Sequence, residues 1–356
     1  MSSANDRPIL ITGGAGFIGS NLADRFAGEG REVIIFDTLA RPGVERNLSW
    51  LKDRHGERVT SVIADIRDED EVVRAAREAG AIFHFAAQVA VTTSLADPRE
   101  DFEVNIRGTV NLLDAVRLRA DKVPVIFAST NKVYGDLIDL PFETADDRHV
   151  PAGPVARTGI DERRPLDFHT PYGCSKGAAD QYVLDYARSF GVPSAVFRMS
   201  CIYGQRQMGT EDQGWVAHFL IRALEGKPIT LYGDGRQVRD ILDVRDAVDA
   251  YVRALRHIDD IQGRAFNLGG GPENAVSLLQ LIGEIRAIAG REVPLSFEDW
   301  RQGDQRWYVS DTRAAQSALD LPRPIHWREG VADLAHWLAA ERRLTLQPLT
   351  LASAAE

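Results

Sequence analysis

Two residues four apart, Tyr172 and Lys176, carry the most chemistry in this chain. At helical spacing they share one face. An ammonium beside a phenol favours the phenolate, so this tyrosine is expected to titrate below its reference value of roughly 10. A phenolate so placed can take the proton of a sugar hydroxyl while hydride leaves the same carbon. Ser129-Thr130 closes the apolar run Val125-Ile126-Phe127-Ala128, where a hydroxyl can hydrogen-bond the reacting oxygen. Each feature alone has a plainer reading. Tyr-x-x-x-Lys is a common surface pair on helices, and Ser and Thr end many strands as turn formers.

The hydride acceptor has its own signal. An apolar strand, Ile9–Thr12, runs into Gly13, Gly16 and Gly19, and then into a helix that begins near Phe17 and Ile18. Glycines there allow a tight turn and close backbone approach to a pyrophosphate, which the helix N-terminus attracts. A second strand, Val33–Asp37, ends in an acid about 20 residues on, the position that accepts from two ribose hydroxyls. A carboxylate there repels a 2′-phosphate, which favours NAD over NADP; Arg41 nearby pulls slightly the other way. A glycine turn alone ends many ordinary strands. Strand, helix and closing acid together make the signal specific.

These groups must be positioned by a scaffold. Short β-rich runs at Ile9–Thr12, Val33–Asp37, 59–64, 81–86, 123–129 and Ser194–Met199 alternate with amphipathic stretches at 18–28, 70–79, 102–119 and 172–190. Such alternation predicts an α/β fold, a Rossmann-type doubly wound parallel sheet with right-handed crossovers. Its ligands bind beyond the carboxyl ends of the strands, where Asp37, Asp65, Ala86-Ala87-Gln88 and Ser129-Thr130 all fall. After Met199, Gly and Pro become frequent and the helices more isolated, which predicts a smaller, interleaved α/β substrate lobe. The expected division is 1–198 and about 236–262 for the dinucleotide domain, about 199–235 and 263–343 for the lobe, and 344–356 for a flexible tail. The polar connection 136–169 is long enough to be functional or mobile.

Composition narrows the classes. The chain has 356 residues, 44% of them hydrophobic and 26% charged, with a formal net charge of −10. The charge disfavours nucleic acid as a partner. No run reaches membrane-spanning length. Residues 1–7 lack the apolar core of a signal peptide, and two cysteines make no disulfide framework, so a cytoplasmic location is expected.

Together, the glycine turn, Asp37, Asp65-Ile66-Arg67, Ser129 to Gly135, Tyr172 to Lys176 and Arg198 to Gly204 resemble the extended short-chain dehydrogenase/reductase family over roughly residues 8–340. The resemblance implies Thr130, Tyr172 and Lys176 as the catalytic set, with Tyr172 the base and Lys176 its electrostatic partner and ribose ligand. It further implies Asp65 and Ile66 near the adenine, and Asn105 supporting the cofactor and catalytic groups. Many members act on nucleotide sugars. Tyr232 to Asp240 and Arg301-Gln302-Gly303-Asp304 resemble their segments in which arginines, here Arg239 and Arg301, meet a diphosphate; planar guanidinium forks match phosphate oxygens. The plainer reading pairs these arginines with Asp240 and Asp304.

Family dehydratases place an Asp-Glu pair after the Thr130 position, whereas this chain has Asn131-Lys132. Neither can act as a carboxylate acid, so oxidation and re-reduction, that is epimerisation, is favoured over loss of water. The runs Gln88 to Ser94, Ser129 to Asp136, Leu166 to Tyr182, Asp212 to Val216 and Gly235 to Asp240 resemble the branch of CDP-sugar 2-epimerases, which implies inversion at C2 of a 3,6-dideoxyhexose. By position, Gln88, Thr93, Thr130, Asn131, Lys132, His169, Arg206, Gln213, Arg239 and Arg301 are expected to contact substrate. Cys201 stands where many such epimerases carry Asn. In the family it resembles, long helices such as 102–119 and 172–190 pair across a two-fold axis, so the resemblance implies a homodimer or homotetramer. Two alternatives stay open: a UDP- or GDP-sugar 4-epimerase, and a non-catalytic NAD-binding regulator.

Overall fold

The computed structural model describes residues 7–344. Seven parallel strands form the main sheet in the order Arg264–Leu268, Ser194–Met199, Val125–Thr130, Ala81–His84, Ile9–Thr12, Val33–Asp37, Val59–Ile63. Alternate side chains of each strand enter different cores. Ile9 and Ile11 pack with Leu22, Phe26 and Tyr251, whereas Leu10 packs with Leu112, Leu113 and Val183 on the other face. Burial on both faces is why these strands read as continuous apolar runs. The strand order reverses between Ile9–Thr12 and Ala81–His84, and that reversal opens the crevice in which such sheets bind ligands.

Two expectations on chain division need correction. Arg264–Leu268 is the edge strand of the main sheet, and Val238–Asp243 belongs to the smaller lobe. There Val238–Asp243 pairs with Ala275–Ser277, Trp307–Tyr308 and Cys201–Tyr203. The edge strand alternates Arg264 and Asn267 with apolar residues, so its sequence lacks the unbroken apolar signature of the central strands. The lobe has its own core, in which Phe219, Leu220, Ile229, Ile241, Leu281 and Leu334 come together.

The connection 136–169 is ordered. It forms the hairpin Phe142–Thr144 with His149–Pro151 and a short helix, Val155–Thr158. It is tied to the lobe where the His149 amide donates to Arg236 O (2.9 Å) and Ser277 Oγ donates to Asp147 O (2.6 Å). The expected tail lies outside the described residues except for Leu344, whose amide donates to Ala339 O at 2.8 Å.

Candidate active site

The glycine turn is built as tightly as a main chain allows. A Cβ on Gly13 would stand 2.7 Å from the Ala86 nitrogen, and one on Gly19 would stand 2.4 Å from Gly13 O. Gly13 also has φ +66, a left-handed conformation costly for other residues. The helix that follows, Phe17–Gly28, has no side chain capping its first turn. Its leading N–H groups are therefore open to an anion. Asp37 accepts from the Ala15 amide (3.0 Å) and the Leu39 amide (2.9 Å). Burial raises its pKa against these hydrogen bonds and against Arg41. Asp65 is held by Arg67, which lowers its pKa through their hydrogen bond.

A cavity of about 660 Å³ runs over this turn and along the strand ends. It is lined by Gly13, Gly16, Phe17, Ile18 and Gly19, by Asp37, Asp65 and Ile66, and by Ala86, Ala87, Gln88, Ser129, Tyr172 and Lys176. Asn105 does not reach it. It is buried in a π-helical turn, Phe102–Arg107, where its side chain accepts from the Gln88 amide (2.8 Å) and donates to Ser175 Oγ (2.9 Å). Asn105 thus positions the Gln88 wall against the helix that carries Tyr172.

A second cavity of about 370 Å³ adjoins the first. Val89, Thr130, Tyr172, Cys201, Gln213, Gly214 and Trp215 line both, so Thr130 and Tyr172 stand at the seam, whereas Lys176 lines the first cavity alone. Tyr172 and Lys176 lie in the helix Thr170–Phe190, which Pro171 opens and which packs on the sheet through Ala179 and Val183. Thr130 ends the neighbouring strand.

Electrostatics at the seam differ from the sequence expectation. Burial raises Tyr172 to about 12; a hydrogen bond with Thr130 lowers it and the charge of Asp101 raises it. Lys176 does not lower it. Burial instead brings Lys176 down to about 7, against the pull of Asp180 and Asp101. Its Nζ lies 4.1 Å from the Phe127 ring centroid. An amine that gives up its proton near pH 7 carries no charge where the phenol titrates, so the i, i+4 spacing alone misjudged the balance.

The second cavity is held open by a loop from far along the chain. Asn131 Nδ2 donates to Gln305 Oε1 (3.1 Å) and Lys132 Nζ to Gly303 O (2.8 Å). These bonds bring Asp304 beneath Arg239, which donates to it at 2.6 Å. Burial pushes the Asp304 carboxyl up, but Arg239 and Lys132 outweigh it and hold it low. Arg301 stacks 3.8 Å from the Tyr232 ring centroid and donates to Glu211 O (3.2 Å). Asn131, Lys132, Gln213, Arg239 and Arg301 all line this cavity, whereas Thr93 lines the first. Asp240 is not the partner of either arginine; it accepts from Ser200 Oγ (2.6 Å) and the Gly271 amide (3.0 Å).

Two expected substrate contacts face neither cavity. His169 sits between Asp136 (2.8 Å) and Asp167 (3.2 Å), with its pKa raised chiefly by the Asp136 hydrogen bond. Arg206, at φ +68, lies 3.9 Å from the Trp50 ring centroid and 5.5 Å from that of Trp337. Cation–π packing has claimed its charge. Sequence reasoning also missed Asp101. It is fully buried, and Gln88 Nε2 and Ser175 Oγ both donate to its carboxylate. Its only sequence signal was an acid four residues before Asn105 in an otherwise amphipathic stretch.

A family model described as the NAD dependent epimerase/dehydratase family matches residues 9–269. The chain belongs to that family. Its cofactor is NAD, and the cavity over the glycine turn, with its open helix end and Asp37, fits that group. The chain is 42% identical to the CDP-paratose 2-epimerase of Salmonella typhi, over 93% of this chain and 99% of that one. Among solved structures it resembles the UDP-glucose 4-epimerase of Thermotoga maritima with UDP-glucose, at a TM-score of 0.81 and 28% identity, covering 94% and 99% of the two chains. It also resembles the UDP-glucuronic acid 4-epimerase of Bacillus cereus with UDP-glucuronic acid and NAD, at a TM-score of 0.80 and 26% identity, with the same coverage. Among the described residues no helix is long and apolar enough to cross a membrane, and no cluster of metal-ligating side chains occurs.

Proposed function

We propose that this member of the family is an isomerase that inverts C2 of a CDP-linked 3,6-dideoxyhexose through a transient 2-keto sugar. The observation that carries the reading is the seam: Thr130 and Tyr172 line the NAD cavity and the second cavity at once. Similarity to the Salmonella typhi CDP-paratose 2-epimerase supports the choice of sugar and base.

NAD supplies the hydride acceptor, and in reduced form the donor, for the carbinol carbon. Tyr172 removes the hydroxyl proton and later returns it, and Thr130 holds the reacting oxygen. Burial, which raises Tyr172 to about 12, makes it a poor base by itself. Tyr172 lines the cavity that would hold NAD, and the positive charge of the oxidised cofactor there would lower that value. Arg239 and Arg301, which line the second cavity, bind the diphosphate. Asn131 and Lys132 offer no carboxylate, so the keto sugar keeps its remaining oxygens while it turns over.

Oligomer and location are part of the same proposal. Phe102, Tyr182 and Phe190 are 50%, 46% and 42% exposed on the two long helices beside the sheet. An apolar face of that kind supports a two-fold dimer, and we place the enzyme in the cytoplasm. A second reading, inversion at C4, is favoured by the resemblance to the Thermotoga maritima UDP-glucose 4-epimerase. Incubating the NAD-loaded protein with a panel of CDP-, UDP- and GDP-sugars and following ring protons by NMR tests both. C2 inversion of the CDP-dideoxyhexose is expected. Conversion of C4 substrates alone overturns the C2 reading, and tight NAD binding with no conversion of any sugar favours a regulator.

A further inference from the structure

Three residues that line the second cavity each carry a buried side-chain oxygen with no hydrogen-bond partner among the described residues: Thr92 Oγ1, Gln213 Oε1 and Gln237 Oε1. Gln237 Nε2 donates to Tyr232 O (2.6 Å), and Arg301 stacks on the Tyr232 ring, so Gln237 belongs with the diphosphate arginines and leaves Thr92 and Gln213 for the sugar. An unpaired buried acceptor or hydroxyl costs free energy, so such atoms in a functional cavity mark where a ligand's polar groups go. Their carriers are fixed. Thr92 stands in the helix Val91–Ala96, and Gln213 and Thr210 bond each other's backbones at 2.9 and 3.2 Å. Val89, Val91, Leu95, Phe219 and Trp215 line the same cavity with apolar side chains, alongside Glu211 and Asp212 next to Gln213. The indole N–H of Trp215 is spent on Cys201 Sγ, at 3.3 Å, so that wall offers a sugar no donor.

We propose that Thr92 and Gln213 are the specificity-determining pair of this site. They receive the few hydroxyls of a sparsely hydroxylated hexose, and the apolar side chains around them face its deoxygenated carbons. Tyr172 lines the same cavity, so a sugar held by this pair lies in the catalytic cavity. The inference rests on the nucleotide-sugar reading above. It adds the residues that select the sugar's oxygen pattern, which neither the catalytic tyrosine nor the diphosphate arginines can do.

The test uses the NAD-loaded full chain with CDP-3,6-dideoxyglucose and CDP-glucose. Wild-type enzyme should favour the dideoxy sugar by about 10- to 100-fold in kcat/KM, the range over which an apolar wall rejects an added hydroxyl. Thr92→Val and Gln213→Leu should each raise KM for the dideoxy sugar by about 10-fold with kcat nearly unchanged, as expected when a ground-state contact is removed. Thr92→Ser, which keeps the hydroxyl, should restore KM. Unchanged KM in both Thr92→Val and Gln213→Leu overturns the proposal, as does a Thr92→Ser enzyme as impaired as Thr92→Val. A wild-type enzyme that turns over other nucleotide sugars but neither CDP-sugar overturns the proposed function itself.

Discussion

The two cavities that meet at Tyr172 are made differently. The NAD cavity is a main-chain object: glycines, strand ends and an uncapped helix start, with Asp37 as its principal side-chain reader. The substrate cavity is a side-chain object, in which Arg239, Arg301, Lys132 and Trp215 come from four separate stretches, Arg239 and Lys132 braced by Asp304, Arg301 by Glu211 O and Trp215 by Cys201. A backbone cradle cannot adjust to a new atom, whereas a braced set of long side chains can lose a member and keep its shape. One cofactor therefore goes with a rigid half, and a variable sugar goes with a half that can be re-lined.

Adding a methyl-sized group to the rigid half should do the most harm. Gly19→Val places a Cβ 2.4 Å from a backbone oxygen that has nowhere to go, so we expect protein without NAD and poor recovery of folded material. Normal NAD content in that variant would break the contrast. At the seam, Tyr172→Phe should keep NAD and lose turnover by about 10²- to 10⁴-fold, the usual worth of a proton-transfer group. Undiminished turnover would remove Tyr172 from that role. In the adjustable half, Arg239→Met should keep NAD and fold, raising KM for the nucleotide sugar by about 10-fold, the worth of one charge-assisted hydrogen bond. A loss of NAD in that variant would mean that the two halves are not separable.

The smallest effect concerns charge. Lys176 titrates at about 7 in the cofactor-free chain against about 10.4 when free. Its folded-state value is depressed, so the folded state binds fewer protons than the unfolded one. Burying this ammonium therefore costs stability in full below about pH 7, and the cost fades as pH rises toward the free value. Lys176→Met should raise the Tm of the cofactor-free protein by about 5 °C at pH 6 and by little at pH 10. Equal shifts at both pH values would show that packing, not charge, is responsible. The Tyr172 phenolate band offers a companion check: it should develop near pH 12 without cofactor and at lower pH with NAD⁺ bound.

What sequence alone determined is the part whose chemistry is local. Gly13 through Gly19, Asp37 and the strands around them announce a dinucleotide site because turn, helix start and acid lie within one crossover. Tyr172 and Lys176 share one helix turn, so their proximity was legible, but their protonation was not. Desolvation depends on everything packed around them, including Asp101 and Asp180, which no spacing rule brings near. Arg264–Leu268 escaped notice because an edge strand need not be apolar throughout. His169 and Arg206 were drawn toward the substrate by position, and the tertiary structure gave them to Asp136 and to Trp50 instead. Asn131 meets Gln305 and Arg239 meets Asp304 across 174 and 65 positions of chain, and Thr92 and Gln213 come to line one cavity from 121 positions apart. Only the closed chain decides these, because the free energy of such pairs exists only after folding has excluded the water around them.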